Sequence, residues 1–244
     1  MKILALDSSG LVASVAILDG ETLQAEYTVN YKKTHSQTLL PMLEEVQKMI
    51  ELQLDTVDAV AVACGPGSFT GLRIGSATAK GLGLALKKPL IAVPTLEALA
   101  YQFYGTDKLV CPLMDARRSQ VYTGIYEFTR QEEQPKGLGK FVLHTLQGQC
   151  AVAVEAVAEQ LNNLGREVCF LGDGVPVYRE ILQKLLTIPY SFAPAHMNRQ
   201  SAACVGALAE VYYEEGKIQS AAEHQPEYLR LSQAERERLE GQGQ

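Results

Sequence analysis

Short apolar runs and amphipathic stretches alternate along the chain. Lys2–Asp7 and Val12–Leu18 are apolar enough to be strands, and Asp19-Gly20 is a hairpin turn into a third strand at Thr22–Asn30. From about Ser36 to Leu52, Leu39, Leu43, Val46 and Ile50 recur at helical spacing. Ala59–Cys64 is an unbroken apolar run, the pattern of a strand covered on both faces. Gly65-Pro66-Gly67-Ser68 forms a turn, with Ser68 placed to cap a helix running to about Lys87. Ile91–Val93 is a short strand, and Thr95 stands as the cap of a helix over Leu96–Tyr104. The predicted order is βββαβαβα.

The second half repeats it. Leu109–Asp115 and Gln120–Phe128 are strands around a tight Ala116–Ser119 connection, residues 129–139 read as a polar surface loop, and Lys140–His144 is a third strand. Ala151–Asn163 follows as a helix, Val168–Leu171 as a buried strand and Gly172-Asp173-Gly174 as a turn. A helix is predicted from about Pro176 to Leu186, a weak strand at Tyr190–Phe192 and a helix over Ser201–Glu215. A duplicated βββαβαβα unit is the plan of the actin/hexokinase/Hsp70-like (ASKHA) α/β fold, here with a reduced second lobe. The expected division is a first lobe over 1–105, a second over 106–231 whose last helix packs back on the first, and a charged, mobile tail over 232–244. The duplication pairs Asp7 with Asp115 and the turn at Gly65–Ser68 with that at Gly172–Gly174.

Composition adds bounds to this picture. With 47% hydrophobic and 20% charged residues in 244, the chain has ample material for a core, which excludes the disordered, collagen-like and coiled-coil classes. No apolar run reaches the roughly 18–20 residues of a membrane span, so no membrane association is expected. Asp7 interrupts the first apolar run too early for a signal peptide, and five cysteines without a C-x-x-C pair suit reduced thiols, so the reading is cytoplasmic. A net charge of −6 argues against nucleic-acid binding by the chain alone and leaves room for a complex that binds nucleic acid through another subunit.

Candidate chemistry gathers at the two hairpins. Asp7-Ser8-Ser9-Gly10 offers a carboxylate and small residues that let backbone N–H groups approach phosphate oxygens. Its counterpart, Asp115-Ala116-Arg117-Arg118, puts two long cations into the space that phosphates need. Asp7, Ser8, Ser9, Asp115, Arg117 and Arg118 are therefore candidates for a vestigial or weak nucleotide site. The alternative from another class is an ATP-dependent phosphotransferase or ATPase using Asp7 and Asp115 with Mg-ATP. Gly65–Gly71 lacks the G-K-[ST] ending of a Walker A loop and reads as a strand-to-helix turn. His35 is followed at i+4 by Leu39, which cannot ligate, while His144, His196 and His224 are scattered, so neither a metal site nor a hydrolytic triad is expected.

Two helices carry more apolar or small-residue surface than one fold needs. Gly71, Gly75, Ala79 and Gly83 recur every four residues, and the four helix-interior glycines (Gly71, Gly75, Gly81, Gly83) together cost roughly 3–4 kcal/mol relative to alanine. Close backbone packing, within the chain or against a partner, must offset that. In the preceding helix Leu39, Leu40, Met42, Leu43, Val46, Met49 and Ile50 wrap more than one face. The predicted partner surface is Leu39, Leu40, Leu43, Val46, Met49 and Ile50 with Gly71, Ile74, Gly75, Thr78, Ala79 and Leu82.

Several blocks closely resemble the bacterial TsaB (YeaZ) family. They are Met1–Ser9, His35-Ser36-Gln37-Thr38-Leu39-Leu40-Pro41, Gly65-Pro66-Gly67-Ser68-Phe69-Thr70-Gly71-Leu72-Arg73-Ile74-Gly75, Thr95–Leu99, Met114–Arg118 with Val121-Tyr122, and Pro226-Glu227-Tyr228-Leu229-Arg230. The resemblance spans residue 1 to about 230. It implies a role in threonylcarbamoylation of the adenosine 3′ to the anticodon in tRNAs reading ANN codons. It implies a non-catalytic paralogue of the transferase TsaD, whose metal sits on a H-x-x-x-H helix that here is broken at Leu39. The implied partners are a TsaD-like transferase, met through the first two helices, and a TsaE-like ATPase, with self-association through the same surface when alone. No cofactor of its own is implied; ATP and a divalent metal serve the partner subunits.

Overall fold

The computed structural model describes residues 1–31, 35–131 and 140–230. The expected tail and most of the expected 129–139 loop lie outside the described residues. The first unit contains strands β1 (Lys2–Asp7), β2 (Val12–Asp19) and β3 (Thr22–Asn30), helix α1 (Leu39–Met49), strand β4 (Ala59–Gly65), helix α2 (Phe69–Leu86), strand β5 (Leu90–Pro94) and helix α3 (Thr95–Tyr101). The second contains β6 (Leu109–Asp115), β7 (Gln120–Arg130), β8 (Phe141–Ala153), α4 (Val154–Leu164), β9 (Val168–Leu171), α5 (Val175–Leu185), β10 (Tyr190–Phe192) and α6 (Ala202–Glu214). The sheet orders, β3-β2-β1-β4-β5 and β8-β7-β6-β9-β10, are the same path taken twice. This is the duplicated ASKHA-type α/β fold.

Strand alternation divides each sheet between two cores. Leu4 and Leu6 of β1, with Val15, Ile17, Val60 and Val62, face α1 (Leu39, Met42, Leu43, Val46) and Ala79 of α2. Ile3 and Ala5 face the other way, toward Ala202, Val205, Leu208 and Ala209 of α6. In the second sheet Leu109, Cys111, Leu113 and Phe170 meet α4 and α5. Its opposite face, with Val110, Met114 and Tyr126, is covered by Leu96, Leu99 and Ala100 of α3. Each unit thus lends its last helix to the other's sheet, which fixes the hairpins of the two units side by side.

Three elements differ from the sequence reading. The α1 region begins with a short 3-10 turn at His35–Gln37 and the α-helix proper occupies only Leu39–Met49. Strand β8 is 13 residues long and pairs along β7 from Arg130↔Phe141 to Gln120↔Ala153, so α4 starts at Val154, not Ala151. The polar Gln147-Gly148-Gln149 hides it, because an edge strand in a hairpin needs no apolar run. Thr95 does not cap α3; its hydroxyl accepts a hydrogen bond from Gly65 N (3.2 Å), tying α3 to the end of β4. Ser68 does cap α2, its Oγ accepting from Gly71 N (3.3 Å).

Candidate functional site: the hairpin cleft and the outer face of two helices

The hairpins of the two units meet at a cleft of about 300 Å³ lined by Ser9, Gly10, His35, Ser68, Asp115 and Arg117, with Tyr122 and Asp173. Asp7 ends β1 behind this lining and is only 1% exposed. Its Oδ1 accepts from Ser9 N (2.8 Å) and Ser9 Oγ (2.7 Å). Burial pushes the Asp7 carboxyl up to about 6, against the opposing pull of those hydrogen bonds and of the His35 ring. Ser8 turns away from the cleft and donates to Gly71 O (2.9 Å). The 3-10 turn places His35 with Nε2 2.8 Å from Gly10 O, while its Nδ1 is buried with no partner among the described residues.

The second hairpin repeats the first. Asp115 Oδ1 accepts from Arg117 N (2.9 Å), as Asp7 Oδ1 accepts from the residue two positions on. Beyond that the hairpins diverge. Arg117 Nη1 approaches Asp115 Oδ2 (3.5 Å) with its side chain 85% exposed, and Arg118 is exposed and pairs with none of the described residues. Tyr178 of α5 donates to Asp115 Oδ1 (3.3 Å), and Asp173 Oδ1 accepts from Asp115 N (3.3 Å). Burial raises the Asp173 carboxyl. Sequence reasoning missed Asp173 and Tyr178. The pairing of the turn at 172–174 with that at 65–68 points to the first, but nothing in the pattern marks a tyrosine one turn into the next helix.

Asp7, Ser9, Asp115 and Arg117 therefore converge, while Ser8 belongs to the contact with α2 and Arg118 to the outer rim. Among the described residues no serine hydroxyl is hydrogen-bonded to a histidine, and no three His, Cys, Asp or Glu side chains are grouped to hold a metal ion. The Cys64 and Cys111 thiols are pushed up to about 12 by burial, which removes them as nucleophiles at neutral pH.

The predicted partner surface is corrected by the packing. Leu39, Leu43 and Val46 are 1–5% exposed and form the core under α1. The stripe Gly71, Gly75, Ala79, Gly83 faces inward: a Cβ at Gly71 would collide with the Ser8 carbonyl oxygen, one at Gly75 would lie 2.5 Å from Ser8 Oγ, and one at Gly83 2.8 Å from Leu90 Cδ2. Ile50, Ile74 and Leu82 are half-buried against that core, and Thr78 is half-buried beside them. Helical spacing alone could not distinguish a small face that meets its own sheet from one that meets a partner. Leu40 (55% exposed) and Met49 (82%) do stand outside. The outer face of α2 carries Arg73, Ala77, Gly81 and Leu84, all exposed, with small residues only at the middle two, and a Cβ at Gly81 would meet nothing within 4 Å.

Known proteins are similar to this chain in sequence and fold. The family model of the tRNA N6-adenosine threonylcarbamoyltransferase TsaD matches residues 22–238. A Bacillus subtilis protein named tRNA threonylcarbamoyladenosine biosynthesis protein TsaB is 32% identical over 99% of this chain and 100% of its own length. The Escherichia coli protein of the same name is 28% identical over 94% of this chain and 95% of its own. The structure of YeaZ from Pseudomonas aeruginosa superposes with a TM-score of 0.76 at 28% identity, covering 93% of this chain and 99% of that one. On this full-length similarity in sequence and fold, the chain belongs to the TsaB (YeaZ) family of tRNA threonylcarbamoyladenosine biosynthesis proteins.

Proposed function

We propose that this chain is the non-catalytic pairing and activating subunit of a complex that transfers threonylcarbamoyl to the adenosine 3′ to the anticodon of tRNAs reading ANN codons. It docks on a TsaD-like transferase, joined by a TsaE-like ATPase, through the outer faces of α1 and α2, and self-associates there when alone. Gly81 carries this reading. An exposed mid-helix glycine with open space around it costs about 1 kcal/mol relative to alanine and has no use within the fold. A second backbone approaching Gly81 gives it one, with Leu84 exposed one turn further along α2 and Leu40 and Met49 exposed on α1.

The test is a threonylcarbamoyl-transfer assay with the TsaD-like paralogue, TsaE, ATP, donor and unmodified tRNA, with and without this chain. Transfer is expected to require the chain and to persist with Asp7→Asn/Asp115→Asn. Equal transfer without it overturns the proposal. Gly81→Glu should reduce pairing at least 100-fold in size-exclusion and binding measurements, with the monomer's melting temperature unchanged or slightly raised. Undiminished pairing would place the docking face elsewhere.

A further inference from the structure

Three arginines, Arg117, Arg118 and Arg230, lie outside the pairing face, and a fourth, Arg73, borders it on α2. Arg117 and Arg118 stand on the turn between β6 and β7, and Arg230 reaches that turn from the C-terminal segment, its Nη1 donating to Ala116 O (2.5 Å). Two residues earlier the Tyr228 ring packs on Phe69 (centroids 4.7 Å apart), and its hydroxyl accepts from Arg73 Nε (3.4 Å). The Arg73 guanidinium lies 4.0 Å over the Phe69 ring. The segment 228–230 thus ties the Arg73–Phe69–Tyr228 cluster of the first unit to the β6–β7 turn of the second.

These arginines reverse the sign of the chain around them. Against a net charge of −6, the only carboxylate paired with these arginines among the described residues is Asp115, on Arg117. Glu227 turns to Gln149 (3.4 Å), and Asp7 is buried behind Ser9. Arg117, Arg118 and Ser119 have φ of +65°, +55° and +58°, three successive non-glycine residues in the left-handed region. Such strain persists where the surroundings hold it and concentrates at ligand clamps. Here it holds two guanidiniums out to solvent, while Tyr228, two residues before Arg230, is 39% exposed. Guanidinium forks match phosphate oxygens, and an exposed ring takes the face of an unpaired base. A carboxylate-bearing peptide would satisfy the charge and leave the ring without a role.

We propose that this arginine–aromatic rim is a contact site for single-stranded RNA, with Arg117 and Arg118 on backbone phosphates and Tyr228 under an unstacked base. That the RNA is a tRNA rests on the function proposed above; the site itself rests on the rim. Because the rest of the chain is acidic, the contact adds to a complex's hold on RNA and is weak in the chain alone.

The full chain is titrated against a fluorescein-labelled anticodon stem-loop of an unmodified tRNA, followed by anisotropy between about 50 and 200 mM salt. Binding is expected to weaken with salt. Arg117→Asn/Arg118→Asn, in which asparagine tolerates the left-handed backbone, should lose at least tenfold in affinity and flatten the salt slope by about 1.4, about 0.7 for each phosphate contact on a single strand. Tyr228→Leu should weaken binding about fivefold with the slope unchanged. Lys87→Ala/Lys88→Ala, at the far end of α2, should leave both as they are. The proposal is overturned by absence of salt-dependent binding in the wild-type chain, by equal binding of the asparagine pair, or by displacement of the RNA by ATP as readily as by unlabelled RNA. A chain that binds RNA in this way yet is dispensable for transfer would remove the proposed function and keep the site. A chain required for transfer whose asparagine pair binds RNA normally would do the reverse.

Discussion

Gly71→Ala is expected to destabilise the isolated chain by about 3 kcal/mol, at the upper end of overpacking changes, and Gly81→Ala to stabilise it by about 1 kcal/mol. The two glycines lie on one helix ten residues apart, and the sign of the effect reports which side each faces. At Gly71 the added methyl meets the Ser8 carbonyl oxygen, a backbone atom at the end of β1 that cannot swing aside. Its displacement would also strain the Ser8 Oγ–Gly71 O hydrogen bond and the capping bond from Gly71 N to Ser68. At Gly81 the methyl enters solvent and only restricts the unfolded chain. In thermal melts this should appear as a midpoint roughly 10 °C lower for the first variant and about 3 °C higher for the second. Two shifts of the same sign would mean that the helix is rotated from the position described.

The contrast also shows what was legible in the sequence. The duplicated βββαβαβα order is readable because each buried strand writes its own apolar run, and the two hairpins are readable because each follows an Asp at a strand end, Asp7 and Asp115. Burial direction on α2 is not. An inward stripe (71, 75, 79, 83) and an outward one (73, 77, 81, 84) interleave on a helix rich in Gly and Ala, so composition cannot separate them. The Tyr228–Phe69 and Arg230–Ala116 contacts join positions more than a hundred residues apart, and Thr95 looks like a cap until Gly65 N is seen to use its hydroxyl. The resemblance marked the block at 226–230, but only the fold brings it to the cleft.

Asp7→Asn is expected to stabilise the chain by about 3 kcal/mol at pH 7 and by almost nothing at pH 4. The Asp7 carboxyl has an ordinary value of 3.8 and is raised to about 6 in the fold, chiefly by burial. Below pH 3.8 the folded and unfolded chains both carry the proton, and Asp7 makes no difference between them. As pH rises toward 6 the unfolded chain releases it while the folded chain keeps it, so stability falls through that window. Above about 6 both are ionised, and the folded chain bears the full cost of a buried charge, roughly two pKa units at about 1.4 kcal/mol each. Asparagine keeps the oxygen that accepts from Ser9 N and Ser9 Oγ and brings no charge. Urea unfolding of both proteins from pH 4 to 8 should therefore give curves that diverge between pH 4 and 6 and then run parallel; a pH-independent gap would assign the Asp7 effect to packing. A carboxylate that weakens the fold at neutral pH is kept at a cost to stability, so its removal tests whether the cleft is used. Asp7→Asn protein that is more stable and equally active in threonylcarbamoyl transfer would show that transfer does not need the Asp7 carboxylate, and one that is more stable but inactive would show that the cleft is in use.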